Sequence, residues 1–413
     1  MRFRKILEVA IIAGSALLLA SCGSSSAKSS QSSSKTITFW YGGDAATAVK
    51  PVVKDFEKKT GIKVKVQSVP WSSYNDKLLT AAASKTGPDA LVVGTTEVAN
   101  YASSQTLMDL TNEVKKDSSI SDNQFFKGSV DTTKVHNKQY ALPWYVETRV
   151  LYYRKDLLKS VGYDSAPKTW SQLYDAALKL SKRGKNMYGF NVDSAEPTFG
   201  FMFARQNGAT LIKNGKAQFN KAPMVDALKY LDKFVKNGVA PAQDTKLTIG
   251  QSFGSKGPIP MFISGPWMIQ SIQKTAGLKD SQWGVAELPK GPVNNMSVTG
   301  GGDLAVFNYS KHKKEALEFV KFLNSKKEQI KYFKASNSMP TRKSAWTDNS
   351  LSDSKIQTFR KQLNASEPMP ALKAWDTIGA NYTKAWQQIT ISHADIQKTM
   401  DSFNKQSQQL MDK

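Results

Sequence analysis

Between Thr36 and Gly94 the apolar residues change period four times, and that rhythm limits the folds open to this chain more than any other feature. Thr36-Ile37-Thr38-Phe39-Trp40 alternates as a strand does, and Val49, Val52, Val53 and Phe56 then mark one face of a helix running to Thr60. Gly61 supplies a stop. Ile62 to Val66 alternates strictly, a second helix is predicted over about Trp71 to Lys85, and Asp89 to Gly94 reads as a short buried strand. Strand and helix in strict alternation imply a parallel sheet covered by helices.

The rhythm resumes further on. Arg149 to Arg154 reads as a strand, and Thr169 with Gln172 forms a capping box before a helix to Lys182. Tyr188 to Phe190 reads as a strand fragment, Lys221 to Lys236 as a helix closed by Asn237-Gly238, and Pro260 to Ile263 as a strand with Pro266 at the next helix start. His312 to Asn324 is amphipathic, and the chain from Ser352 on is helical in three or four pieces. About 380 residues follow Lys35, enough for two lobes.

The N-terminus has the form of an export signal. Arg2, Arg4 and Lys5 precede a mostly apolar stretch from Ile6 to Ala20, which is short for a hydrocarbon core of about 30 Å. Leu19-Ala20-Ser21-Cys22 resembles a bacterial lipobox, which makes Cys22 the expected site of lipid attachment. As the single cysteine it excludes an intramolecular disulfide and a multi-thiolate zinc site. Gly23 to Lys35, nearly all Ser, Gly, Lys and Ala, reads as a tether. The formal charge is +23 over the whole chain and +21 once residues 1–21, with three basic residues and one acidic, are set aside. The lysines are dispersed, with no arginine-rich block and no aromatic RNA-binding motif, so the expectation is a solvated surface and no nucleic-acid partner.

In open α/β sheets ligands bind beyond the carboxyl ends of strands. Here those positions are Tyr41 to Asp44, Thr95 to Glu97, Trp144 to Glu147, Gly265 to Trp267 and Gly300 to Asp303. They are rich in aromatic and acidic residues. A sugar presents apolar C–H faces that aromatic rings cover and a rim of hydroxyls that carboxylates, amides and arginine satisfy.

The same segments carry a family resemblance. ITFWYGGD at Ile37, FEKKTGIKVKV at Phe56, GPDALVV at Gly87, YALPWYVETRVLYYRKDLL at Tyr140, PKTWSQL at Pro167, FISGPWMI at Phe262, WGVAELPKGP at Trp283 and GGGDLAVFNYSKHKKEALEFVKFL at Gly300 occur in family order. The chain resembles the extracellular solute-binding proteins of carbohydrate ABC importers, the group that includes maltose/maltodextrin-binding lipoproteins. The resemblance implies a two-lobed α/β fold of the type II periplasmic-binding kind, each lobe a mainly parallel sheet flanked by helices. It implies one lobe over 36–143 plus 299–339, the other over 147–295 plus 342–413, and hinge crossings near Trp144-Tyr145, Met296-Ser297 and Pro340-Thr341. It further implies a monomer on the outer face of the cell membrane, lipid-anchored in the Gram-positive manner, which delivers sugar to permease subunits and needs neither cofactor nor metal.

By motif position the resemblance marks Asp44, Thr96, Glu97, Glu147, Glu196, Phe199 and Trp267 as ligand contacts, with Trp375 as a further platform. Trp71 and Tyr74, one turn apart, Trp144, Gly301, Gly302, Asp303 and Arg342 complete the candidates. Val93, Thr95, Thr96 and Glu97 stand where maltodextrin binders hold an aromatic and an acidic–basic pair, which points to a different sugar or length. A polyol or a glycerol phosphate ester is the alternative ligand. The residue types also admit a glycosidase using Glu147 and Glu196. His136, His312 and His393 lack metal-ligand spacing, and no G-x-S-x-G elbow occurs. Trp40, Trp170 and Trp283 are expected in packing.

Overall fold

The computed structural model describes residues 35–43 and 46–412. The signal segment, Cys22, the tether up to Ser34 and Asp44 lie outside the described residues. The first sheet grows around β1 (Thr36–Gly42), β2 (Lys63–Val69) and β3 (Ala90–Gly94), joined by α1 (Lys50–Thr60) and α2 (Trp71–Ser84). β1 lies between β2 and β3 and is parallel to both. Alternation in β1 decides what its faces meet. Ile37, Phe39 and Tyr41 enter one core with Phe56 and Phe319, and Trp40 enters another with Tyr74 and Leu78. Both faces of the sheet are therefore covered, as parallel pairing requires. Gly61 ends α1 in the left-handed region at φ 75°, its N–H returning to Glu57 O.

Later strands finish this sheet in alternating directions, β4 running with β1 to β3 and its neighbours β8 and β9 against them. After α3 (Val98–Ser103) come β4 (Leu142–Glu147), then β5 (Val150–Arg154) in the second sheet. β8 (Ser297–Val306) pairs antiparallel with both β3 and β4, and β9 (Met339–Pro340) pairs with β4. The order is β9-β4-β8-β3-β1-β2, with β10 (Ser366–Pro368) lying parallel to the first residues of β8.

The second sheet sets β5 between β6 (Met261–Ser264) and β7 (Trp283–Ala286), antiparallel to both. The expectation of a mainly parallel sheet in each lobe is corrected here. β5 leads away from the crossing at Glu147, whereas β6 ends opposite Val150 and so returns toward it. Tyr188 to Phe190, expected as a strand fragment, forms no ladder and bends at Gly189. Its N–H groups go to Pro258 O at 2.9 Å and Val239 O at 2.8 Å, on different segments. Helices α4 (Trp170–Ser181), α5 (Thr198–Gln206), α6 (Ala222–Lys236), α11 (Trp375–Thr390) and α12 (Ile396–Met411) pack a large core over this sheet. Thr169 caps α4 by accepting from Gln172 N at 3.2 Å, but the returning arm of the box goes to Lys168 N at 2.8 Å, not to Thr169 N.

Trp170 is stacked 4.3 Å from Tyr230, and Trp283 is fully buried beside Tyr152. Trp40 is buried too, so all three tryptophans expected in packing are found there. A third cluster joins the sheets, with Val146, Val150, Phe262, Phe333, Met339 and Phe359 in contact. It also takes in α7 (Trp267–Thr275) and α10 (Ser354–Leu363), while α8 (Lys313–Leu323) and α9 (Lys326–Ser336) back the first sheet. Two chain crossings are pinned directly to each other. Thr148 Oγ1 donates to Val298 O at 2.9 Å and lies 3.0 Å from Ser297 Oγ, which accepts from Arg149 N at 3.1 Å. No helix among the described residues is long and apolar enough to cross a membrane.

Candidate functional site

Strand ends of both sheets carry the polar and aromatic groups. β1 stops at Gly42, where a Cβ would lie 2.3 Å from Trp71 Cζ2. The ring of Trp71 therefore rests directly on backbone, and 46% of this residue stays exposed. Tyr74, one turn further along α2, is only 3% exposed and donates to Val92 O at 2.6 Å. The two share a helix face, but only Trp71 is presented to solvent.

β3 stops at Gly94. Thr95 N donates to Gly301 O at 3.4 Å, and Thr96 Oγ1 donates to Glu97 Oε1 at 3.3 Å. The Glu97 carboxyl meets that of Asp376 in the first turn of α11, so two acids borne by different cores face one another. Burial, then the hydrogen bond and charge of Asp376, push Glu97 up to about 9. Gly301 and Gly302 lie in β8 against β4, inside a strand and not at a strand-to-helix turn. A Cβ on Gly301, at φ 141°, would fall 2.3 Å from Tyr145 O, and one on Gly302 would fall 2.7 Å from the Tyr145 ring. Their small size is required by the neighbouring strand itself.

The densest group surrounds the first crossing. Glu147 accepts from Ser338 Oγ at 2.8 Å, and burial raises its pKa against the pull of Arg149. The Arg149 guanidinium lies 4.7 Å from the Trp267 ring centroid, and its Nη2 donates to Glu196 Oε2 at 3.4 Å. Burial would raise the Glu196 carboxyl, but the Arg149 charge and the Thr198 hydrogen bonds outweigh it and hold this group below the usual range. Trp267 opens α7 behind Pro266 and stays partly exposed. Its indole crowds Gly265, where a Cβ would lie 1.9 Å from Cζ3. A cavity of about 280 Å³ is lined by chain neighbours of this group, Ala195, Ser264 and Met268, with Asp193, Ser194 and Asp244, and not by Glu147, Arg149, Glu196 or Trp267 themselves.

Five further candidates have their side chains engaged inside the protein. Trp144, 1% exposed, stacks 4.2 Å from Tyr332. Phe199 lies 5.1 Å from Phe203, and Trp375, 5% exposed, lies 5.3 Å from Phe201. Asp303 is buried and accepts from Thr132 Oγ1 at 3.0 Å, with burial raising its pKa strongly. Arg342 donates to Asn324 O at 2.8 Å and Ser119 O at 2.7 Å over the Phe125 ring. Along with Tyr74, these groups are committed to packing or internal hydrogen bonds, a correction to their reading as ligand contacts.

The residues that the structure adds are Arg149, Ser338 and Asp376, and it gives Gly42 and Gly265, already within the strand-end segments, the part of seats for the two indoles. Asp376 had a readable signal, because a helix turn rotates by about 100° per residue and a buried Trp375 swings its successor outward. Among the described residues, no group of three or more His, Cys, Asp or Glu is placed to hold a metal ion.

Comparison with known proteins agrees with this architecture. Residues 41–330 match the model of the bacterial extracellular solute-binding protein family. The galactooligosaccharide-binding protein of Bacillus subtilis (strain 168) is 28% identical over 95% of this chain and 93% of its own length. A probable ABC transporter-binding protein of Deinococcus radiodurans is 30% identical over 73% of this chain and 75% of its own. The solved sugar-binding protein MalE of Xanthomonas citri superposes with a TM-score of 0.80 at 27% identity, over 91% of this chain and 97% of that one, and shares the two-lobed α/β fold. On the extent of that family match, the chain is a member of the bacterial extracellular solute-binding proteins.

Proposed function

We propose that this protein captures a sugar, most readily an oligosaccharide, outside the cell and delivers it to the permease subunits of an ABC importer, without chemical change to the ligand. The observation that carries the reading is the pairing of two partly exposed indoles, Trp71 and Trp267, with the Glu147, Arg149 and Glu196 group beside Trp267. Flat apolar faces beside charged hydrogen-bonding groups suit a ring of C–H faces edged by hydroxyls. The galactooligosaccharide-binding relative, similar over nearly the whole chain, supports an oligosaccharide. Trp71, Thr96, Glu97, Glu147, Glu196 and Trp267 are the contacts proposed here, with Asp44 beyond β1 and the Gly301 backbone as further members.

In this reading the lobes span 36–143 with 299–339 and 147–295 with 342–413, and ligand capture closes one upon the other. The protein acts as a monomer tethered through lipid on Cys22 to the outer face of a Gram-positive cell membrane. Thermal unfolding across a panel of maltodextrins, galactooligosaccharides, raffinose, polyols and glycerol phosphate tests it. A matching sugar raises the melting temperature by mass action, because it binds the folded state alone. Release of shortened sugar, or no shift with any carbohydrate, would overturn the proposal.

A further inference from the structure

Arg149 has an unspent hydrogen-bonding group. Its side chain is 16% exposed, with the guanidinium lying along the Trp267 indole and Nη2 reaching Glu196 at a long 3.4 Å. Nη1 is buried and has no partner among the described residues. Buried arginine nitrogens are rarely left without an acceptor, because each lost hydrogen bond to a charged group is costly. Four other buried or half-buried guanidinium groups differ: Arg183 donates to the carbonyls of Leu180, Tyr188 and Pro258, and Arg205 to those of Glu367 and Pro368. Arg154 donates to Asp156 and to the carbonyls of Phe253 and Gly254, and Arg342 donates to Asn324, Gln124 and Ser119.

The surroundings of Arg149 also state what kind of acceptor is missing. Its backbone is fixed by the Ser297 hydroxyl, which accepts from Arg149 N and donates to Arg149 O, so the side chain springs from a rigid point. Glu196 is its salt-bridge partner, Glu147 lies close enough to feel its charge, and Asp193 stands beside Glu196. An anion brought to Nη1 would meet these carboxylates with no spare positive charge. An uncharged oxygen meets no such repulsion.

Resting on the sugar reading above, we propose that Arg149 is a ligand-contact residue. Its free Nη1 donates to an uncharged oxygen of the sugar, a hydroxyl or a ring oxygen, beside the Trp267 face, and the carboxylates around it select neutral sugars over phosphorylated or uronic ones. Arg149 thus supplies the contact and its acidic neighbours set ligand class, and the glycerol phosphate alternative is disfavoured.

The test is isothermal titration of the purified protein and its Arg149→Met and Arg149→Lys variants. Neutral probes are maltotriose, raffinose and a galactotriose, and anionic probes are digalacturonate and glycerol 3-phosphate. Methionine keeps an apolar stem on the indole, and the unliganded melting temperature of each variant reports whether the fold is kept. Wild type is expected to bind a neutral probe and to reject both anionic ones. Arg149→Met is expected to weaken that binding by about 10- to 100-fold. Arg149→Lys, which retains charge without the planar fork, is expected to fall between the two. Binding by Arg149→Met within twofold of wild type overturns the proposal, as does an anionic probe bound as tightly as a neutral one. Should Arg149→Met fail to fold, an unchanged affinity in Arg149→Lys overturns it instead. No binding of any probe by wild type would take down the sugar reading itself, and this one with it.

Discussion

Thr148 and Ser297, both fully buried, face each other across the two chain crossings with their hydroxyl oxygens 3.0 Å apart. The pair ties the Glu147 crossing to the start of β8, and Arg149 leaves from it. A hydroxyl that accepts from one strand and donates back to it sets their register as a side-chain rivet, where the ladder alone would allow sliding.

Ser297→Ala removes that rivet and leaves Arg149 N without its acceptor. The expected cost is about 1–3 kcal/mol of stability, as for a buried donor left unsatisfied. Urea unfolding followed by tryptophan fluorescence measures it. An unchanged midpoint would show the pin to be slack.

Trp267→Ala should lose most of the sugar-induced rise in melting temperature while the unliganded protein remains folded, because the indole is only partly buried. Gly265→Ala should act in the same direction, since its new methyl would occupy space held by Cζ3. A full thermal shift in both variants would remove Trp267 from the site.

Gly42→Ala should move the Trp71 ring, as the added carbon would sit 2.3 Å from it. The expected outcome is weaker sugar binding with little change in unliganded stability, because Trp71 is largely exposed. Paired calorimetric titration and thermal melts separate these two effects. A drop in stability with unaltered affinity would count against the platform role.

Glu97 gives a signed pH dependence. Its pKa rises from the ordinary 4.5 to about 9. Between those values the folded protein keeps a proton that the unfolded chain has released. Stability from this site is thus whole below the lower value and declines as pH climbs toward the upper one. Glu97→Gln should flatten that decline, and Asp376→Asn should lessen it. Melting temperatures of wild type and variants at pH 5 and pH 9 provide the comparison, and parallel curves would refute the assignment.

Trp375→Ala and Asp376→Asn should part company. The first opens a cavity beside Phe201 and costs about 3–5 kcal/mol. The second touches an exposed carboxylate and should leave the core intact. Chemical denaturation of both variants checks the contrast.

Local period explains what was readable beforehand. The strands and helices from Thr36 to Gly94 follow from alternation and helical spacing, and the structure sets their ends within a few residues. Strand direction in the second sheet was not readable, because β5, β6 and β7 meet across more than a hundred residues and no local pattern states polarity. The resemblance misled at Trp375, marked as a platform by motif position, where its neighbour Asp376 is what faces outward. Arg342 looked free, because the carbonyls that consume its donors belong to Ser119 and Asn324, far away along the chain. Trp71, Glu147 and Trp267 kept exposed or hydrogen-bonding surface, since they stand where strands end and packing stops, and Glu196 kept it just ahead of the first turn of α5.

The meeting of Glu97 with Asp376 gives the empty protein a resting posture that depends on its medium. While Glu97 keeps its proton it can lie against Asp376, and once it ionises it becomes a charge beside a second acidic side chain, so this contact is expected to loosen as pH climbs. Small-angle scattering of the sugar-free protein at pH 5 and pH 9 should register that difference as a change in radius of gyration.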